Sequence, residues 1–154
     1  MSDELDRFRP SRSIRTPLFL DTSALYPRFY DRANQHEEIA AFFDVLGSNE
    51  LPYRPLFTNQ YVVDELVALL LADSSHETAA RAVEAIRDSK AIAVLSVTDE
   101  VFERSVEEFL QYDDQDISLT DHTIGVHADE AGVEHVLTYD GDFRTLGLNV
   151  VPDG

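Results

Sequence analysis

The chain has 154 residues and no cysteine, and its 30 acidic and 12 basic side chains give a formal charge of −18. This length suits one domain with a hydrophobic core, and the lack of cysteine excludes disulfides, zinc–thiolate sites and thiol nucleophiles. No apolar stretch approaches membrane-spanning length and no signal peptide is recognisable, so we expect a soluble, cytoplasmic protein that does not enter a membrane.

The make-up of the charge indicates a halophilic surface. Lys90 is the only lysine, against eleven arginines, and such an acidic, lysine-poor surface is interpreted as adaptation to a salty cytoplasm. Nucleic-acid binding depends on neutralisation of phosphates by Lys and Arg, but in high salt local arginines matter more than the total charge. The net charge therefore does not exclude a nuclease.

The chain begins with a polar segment. Residues 1–16 hold four of the eleven arginines and few apolar residues, which predicts a flexible arginine-containing arm ahead of a domain at 17–152. The apolar run 18–20 predicts a buried strand that ends at Asp21. Pro27 limits the helix that follows to its first turn.

Two helices and a strand follow in the predicted order. Capping-box spacing predicts a helix over 34–47, and a short strand is expected around Phe57. The helix predicted over 59–72 is apolar on nearly all sides, which is typical of a buried helix. Its two acids, Asp64 and Glu65, therefore need an explanation.

The carboxyl-terminal half alternates strands with helices. A buried strand is predicted over 91–97, a helix over 98–110, a second helix that ends at Gly132, and strands over 133–139 and 148–151. The inward-facing residues of the first of these helices are predicted to be Phe102, Val106, Phe109 and Leu110. This alternation predicts an α/β fold with three layers, α/β/α, around a mostly parallel sheet.

Four acidic residues end or interrupt apolar sequence. Asp21 and Asp140 follow predicted strands, Asp121 opens a helix, and Glu65 lies within one. In parallel sheets, ligands gather beyond the carboxyl ends of the strands, so these side chains are expected to converge there. Four such carboxylates would repel one another unless a divalent cation lay among them, and phosphodiester hydrolysis is the natural use of such a site.

The segments that carry these acids also occur in a recognisable order. They read LFLDTSAL at 18–25, VDEL at 63–66, SLTD at 118–121 and LTYDGDF at 137–143. Together they resemble the four motifs of PIN-domain ribonucleases, including the VapC-type toxins of toxin–antitoxin pairs. The resemblance extends from residue 17 to about residue 152.

The resemblance implies a metal-dependent endoribonuclease. Mg²⁺ or Mn²⁺ would be held by Asp21, Glu65, Asp121 and Asp140, which are also the expected catalytic residues. Carboxylate oxygens suit such hard cations, and a metal-activated water would attack the scissile phosphorus.

Two ligand assignments stay open. Asp64 neighbours Glu65 and points about 100° away round the helix, so the two cannot face one metal equally, and Glu65 matches the motif. Asp142 competes with Asp140 and is retained as an auxiliary ligand.

Further residues near the motifs are candidates for substrate contact or orientation. The hydroxyl of Thr22 or Ser118 would orient a carboxylate or contact phosphate, and Arg28 and Arg144 would contact the RNA backbone. Either Ser118 or Thr120 caps the helix that carries Asp121.

The resemblance also implies partners: an RNA substrate, an antitoxin protein and a second copy of the chain in a homodimer. Two alternative functions remain open. One is a catalytically silent PIN-like module for binding or assembly, and the other is a housekeeping nuclease of RNA processing.

Overall fold

Five parallel strands form one central sheet. They are β1 (Thr16–Leu20), β2 (Tyr53–Asn59), β3 (Ile92–Leu95), β4 (His135–Leu137) and β5 (Asn149–Val151), in the spatial order β3-β2-β1-β4-β5. Every neighbouring pair is parallel. The structure is a computed structural model that describes residues 3–11, 14–113 and 116–153. The predicted α/β fold with a parallel sheet is confirmed.

In the described parts of the chain, six α-helices and two short 3₁₀ helices, Asp3–Phe8 and Gly141–Arg144, accompany the sheet. The α-helices are α1 (Thr22–Phe29), α2 (His36–Gly47), α3 (Gln60–Asp73), α4 (His76–Asp88), α5 (Asp99–Gln111) and α6 (Leu119–Ala131). The chain moves from β1 through β2 to β3 and then crosses back to β4. Because such crossovers are right-handed, α1 to α4 lie on one face of the sheet and α5 and α6 on the other. Within the described ranges, no helix has the length and apolar character needed to cross a membrane.

The strand order reverses between β1 and β4, which creates a crevice at the carboxyl ends of these two strands. Leu20 pairs with Leu137 in the register of the two strands. Immediately beyond them, the backbone N–H of Asp21 donates to the Leu137 carbonyl at 3.0 Å. The first predicted acid is thus placed at the switch point by the sheet itself.

The amino-terminal segment packs on the domain at residues 3–8, which belong to the predicted arm. Leu5 is 4% exposed and Phe8 is fully buried, with its ring 4.8 Å from that of Phe42. The Tyr53 hydroxyl donates to the Phe8 carbonyl. Residues three apart share one side of a 3₁₀ helix, so a single short turn buries both apolar side chains. The expected arm also included Arg12, which lies outside the described residues.

Helix α5 is rotated relative to its predicted orientation. Val101 and Ser105 are buried, and the Ser105 hydroxyl donates to the Val101 carbonyl at 2.7 Å, so a polar side chain is satisfied within the helix and can face α6. The predicted inner residues Phe102, Phe109 and Leu110 are instead exposed by 36%, 43% and 68%. Strand β3 lies at the sheet edge, so the expected buried strand carries exposed side chains.

A buried asparagine connects the two helices that carry predicted site residues. Asn59 ends β2 and caps α3, where its Oδ1 accepts from the Val62 N–H at 2.9 Å. Its Nδ2 lies 3.0 Å from Thr123 Oγ1 and 3.1 Å from His127 Nδ1, both on α6. One side chain therefore sets the position of α3 against α6.

The same contacts fix the tautomer of His127. Its Nε2 lies 3.1 Å from the Ser96 carbonyl, which can only accept, so Nε2 donates and Nδ1 accepts from Asn59. Burial lowers the pKa of His127 and keeps the ring neutral, as this arrangement requires. The end of β3 is thereby joined to α6 as well.

Asn59→Ala should destabilise the fold by about 2–4 kcal/mol, because it removes a helix cap and leaves buried His127 and Thr123 without their shared partner. Ser75→Ala is the matched control, since Ser75 caps α4 at the surface through the Thr78 N–H. That variant should cost only about 1 kcal/mol. Urea unfolding measures both, and equal losses would show that the bonds from Asn59 to α6 contribute nothing.

Candidate active site

Asp21 is the most buried acid of the predicted set, with 3% of its surface exposed. It is the N-cap of α1, where its carboxylate accepts from the Ser23 N–H at 3.4 Å. The helix continues through Pro27 to Phe29, so the expected stop after one turn is wrong. The carboxylate therefore sits at the positive end of a full two-turn helix, which favours negative charge there.

Two hydroxyls hold the Asp21 carboxylate. Ser23 Oγ and Thr138 Oγ1 lie 2.8 and 2.7 Å from its Oδ2, and 2.9 Å from each other. Burial raises the pKa of Asp21, and these hydrogen bonds offset part of that rise. Thr22, one of the two hydroxyls singled out from the sequence, is instead buried without a hydrogen-bond partner in the described structure.

Thr138 also connects Asp21 to Asp140. The N–H of Asp140 donates to Thr138 Oγ1 at 3.0 Å. The Asp140 carboxylate in turn accepts from the Asp142 N–H at 2.9 Å and caps the 3₁₀ helix Gly141–Arg144. Asp142 thus supports Asp140 through its backbone, and its own carboxylate is not needed for that contact.

The amino-terminal segment supports the chain at Tyr139, the residue before Asp140. The Tyr139 hydroxyl donates to Glu38 Oε2 at 2.6 Å, and Arg7 Nη1 lies 2.7 Å from Glu38 Oε1. Glu38 therefore bridges the residue beside Asp140 to the first 3₁₀ helix. The carbonyl of Arg7 accepts from the Asp153 N–H at 2.9 Å, which adds the carboxyl-terminal segment to the same brace.

Glu65 and Asp64 differ in their surroundings on α3. Glu65 is half-buried, whereas Asp64 is exposed. On α6, Ser118 is the N-cap and accepts from the Asp121 N–H at 3.1 Å, which identifies Ser118 rather than Thr120 as the capping residue.

Electrostatic coupling shows that four of the predicted acids share one neighbourhood. Burial, and after it the charges of Asp21, Asp140 and Glu65 in that order of size, raise the pKa of Asp121 to about 7. A hydrogen bond with Ser118 acts in the opposite direction. The four acids therefore lie close enough for the charges of Asp21, Asp140 and Glu65 to act on Asp121.

Of the two arginines proposed as phosphate contacts, Arg28 points away from the acids, whereas the guanidinium of Arg144 lies against Gly141, between Asp140 and Asp142. The Arg28 guanidinium lies 4.0 Å from the centre of the Phe43 ring, in a cavity lined by residues at the amino ends of strands. Arg144 is 4.0 Å from Asp153 and lines a groove along β5. The structure does not place the guanidinium of Arg28 with the acids, because α1 runs back along the sheet from Asp21.

The donor chemistry of the cluster fits a hard divalent cation. All four groups offer carboxylate oxygens, and the pKa of Asp121 is raised by burial and by repulsion from the other three, which a cation would relieve. Among the described residues, no three acidic or histidine side chains already stand in an arrangement that could hold an ion. The four carboxylates are therefore neighbours through their charges and do not form an assembled coordination shell.

Comparison with known proteins places this site in a family. VapC20 from Mycobacterium tuberculosis, a sarcin-ricin loop cleaving toxin, has a similar structure with a TM-score of 0.76 and 24% identity, over 86% of this chain and 96% of that one. VapBC2 from Rickettsia felis, bound to a DNA fragment from its promoter, gives a TM-score of 0.63 and 14% identity over 88% and 97% of the two chains. VapBC-1 from nontypeable Haemophilus influenzae gives 0.57 and 19% over 88% and 96%.

A search of curated proteins found no match to the sequence. The family model of the PIN domain, however, matches residues 18–148, which include all four acids of the crevice. The chain therefore belongs to the PIN domain family.

Proposed function

We propose that this chain is a metal-dependent endoribonuclease that hydrolyses RNA phosphodiester bonds and acts as the toxin of a toxin–antitoxin pair. The observation that carries the proposal is the convergence of Asp21, Glu65 and Asp140 on Asp121, whose pKa is raised to about 7 by burial and by these three charges. Four carboxylates at a strand-order reversal are costly to the fold unless they serve a cation.

The four acids of the crevice would hold Mg²⁺ or Mn²⁺, with Asp142 as an auxiliary ligand. When bound, such an ion supplies a water of lowered pKa and offsets negative charge on phosphoryl oxygens. Glu65 is preferred to Asp64 because it is half-buried and acts on Asp121. Asp140 is preferred to Asp142 because its charge also acts on Asp121.

The remaining residues of the crevice act on the ligands. Ser23 and Thr138 fix the orientation of the Asp21 carboxylate, and Thr138 ties it to the backbone of Asp140. Such outer contacts hold first ligands in place and raise their effective affinity. Asn59 holds α3 to α6 and thereby sets the distance between Glu65 and Asp121.

The toxin role is supported by the fold relatives. VapC20 is described as a toxin that cleaves the sarcin-ricin loop, and VapBC-5 of Mycobacterium tuberculosis as a member of a family of toxin–antitoxin systems. We propose by analogy an RNA substrate, an antitoxin partner, a homodimer and a cytoplasmic location. The exposed apolar residues Phe102, Phe109 and Leu110 of α5 offer a surface for a protein partner.

Asp21→Asn and Asp121→Asn should each reduce RNA cleavage by more than about a hundredfold. Loss of a metal ligand should lower activity more than loss of a residue that only orients a ligand. Cleavage of total RNA is followed in high salt with Mn²⁺, with Mg²⁺ and with chelator, and circular dichroism checks that the fold is retained. Asp64→Asn is the matched control and should keep most of the activity. Full activity of Asp21→Asn would refute the mechanism and favour a binding module.

The raised pKa of Asp121 predicts a specific pH dependence of stability without metal. The folded state holds the Asp121 proton up to about pH 7, whereas the unfolded chain releases it near 3.8, so the contribution of Asp121 to stability falls between these values as pH rises. Asp121→Asn should therefore raise the melting temperature more at about pH 8 than at about pH 5.5. Mn²⁺ should stabilise the wild type chiefly at the higher pH, because binding needs the ionised carboxylate.

The comparison of wild type with Asp121→Asn at each pH is the necessary control. Burial lowers the pKa of His122, His127 and His135, and these groups destabilise the fold as pH falls. They contribute equally to both proteins, so they cancel in the difference. A difference that does not change with pH would contradict the electrostatic account of the cluster.

Expression of the wild-type chain in cells should arrest growth, because uncontrolled RNA cleavage stops translation. Asp21→Asn should abolish the arrest, and Arg81→Gln, at an exposed site on α4, should not. Coexpression of a small protein encoded beside this gene should restore growth. If the wild-type chain cleaves RNA in vitro but cells that express it grow normally, an RNA-processing enzyme would be favoured over a toxin.

A further inference from the structure

A cavity of about 480 Å³ lies at the opposite end of the sheet from the acids, where β2 and β3 begin. Tyr53 and Ile92, the first residues of these strands, contribute to its wall. Four basic side chains from separate segments line it: Arg15, Arg28, Arg54 and Lys90. They are a third of the 12 basic residues of the chain, and Lys90 is its only lysine.

Among the described residues, no acid lines this cavity, although acids outnumber basic residues by 30 to 12 in the sequence. Among the described residues, no carboxylate lies within 4.0 Å of the charged groups of these four side chains. Arg54 Nη1 lies 3.5 Å from the Oδ1 of Asn49, a neutral partner. Asp44 acts on Arg28 only as a more distant charge. Within the described part of the chain, the cluster therefore carries positive charge without an ion-pair partner.

Arg28 is held in place at the cavity wall. Its guanidinium lies 4.0 Å from the centre of the Phe43 ring and 5.3 Å from that of Phe29, a geometry that favours the cation over the aromatic face. The side chain is half-buried, and burial lowers its pKa. Beside it, Leu51 and Leu56 form a buried apolar floor. A cationic rim over an apolar floor suits a ligand that is both anionic and partly apolar.

Stabilisation of cations at the carboxyl ends of helices explains the positions of only two of the four basic residues. Arg28 lies in the last turn of α1 and Lys90 two residues beyond α4, where the helix dipole favours cations. Arg15 precedes β1 and Arg54 lies within β2, where no such effect operates. Convergence of all four on one cavity therefore needs a further reason.

We propose that this cavity binds a nucleoside phosphate, with the phosphate on the four basic side chains and the base against the apolar floor. The ligand is a free mononucleotide or the 5′-phosphorylated end of an RNA, which present the same chemistry. Arginine matches phosphate oxygens with two parallel N–H groups, and lysine adds a point charge. The inference does not depend on the proposed nuclease, because the cavity and the acids lie at opposite ends of the sheet.

The test is calorimetric titration of the intact chain with adenosine 5′-monophosphate, adenosine, inorganic phosphate and a 5′-phosphorylated RNA. Chelator is present throughout, at the lowest salt that keeps the protein folded. The monophosphate should bind more tightly than phosphate, and adenosine should not bind. Arg54→Gln and Lys90→Gln should each weaken binding about tenfold or more, as loss of a charge-assisted hydrogen bond does. Arg81→Gln removes the same charge from an exposed site outside the cavity and should leave the affinity unchanged.

Each outcome decides a part of the proposal. Tighter binding of the RNA with the same sensitivity to the variants identifies an RNA end as the ligand, and equal affinity identifies the free nucleotide. Absence of binding at millimolar concentration, equal effects of Arg81→Gln and Arg54→Gln, or phosphate binding as tightly as the nucleotide would each overturn it. Asp21→Asn should keep nucleotide binding even if it abolishes cleavage, and loss of binding in that variant would place the ligand at the acids instead.

Discussion

Mutual repulsion among four carboxylates is the main energetic constraint on this structure. Asp21 is nearly fully buried, and Asp121 is pushed to a pKa of about 7 by burial and by its acidic neighbours. The fold offsets this cost with fixed dipoles at Asp21, namely a helix N-terminus and the hydroxyls of Ser23 and Thr138. The hydrogen bonds of Asn59 keep α3 and α6 together. Without such contacts the charged groups would separate or take up protons.

Charge is segregated along the strands of the sheet. Acids gather at the carboxyl ends, where the strand order reverses, and unpaired basic residues gather at the amino ends around Phe43. This division keeps the cations too far away to neutralise the acids. A lysine or arginine inside the crevice would lower the pKa of Asp121 but would also occupy the place of a metal ion. The separation therefore preserves both ends as potential binding sites in a protein whose total charge is −18.

The parts predicted from the sequence are those with a local signal. Each acid of the crevice ends or interrupts an apolar run, and the alternation of strands and helices specified a parallel sheet. The orienting hydroxyls of Ser23 and Thr138 were missed because a hydroxyl beside an acid is common in any turn. The face of α5 was misjudged because buried Ser105 is satisfied within its own helix, and the role of Leu5 and Phe8 depended on a distant partner, Phe42. These are tertiary effects that no window of sequence contains.

The brace through Glu38 has a practical meaning for anyone who handles this protein. Arg7, Glu38 and Tyr139 form a continuous chain of contacts from the amino-terminal turn to the residue beside Asp140. A purification tag or fusion partner that displaces that turn would pull on Tyr139 through two short contacts. The conformation of the amino-terminal turn is thus coupled to that of the crevice, more than a hundred residues away along the chain.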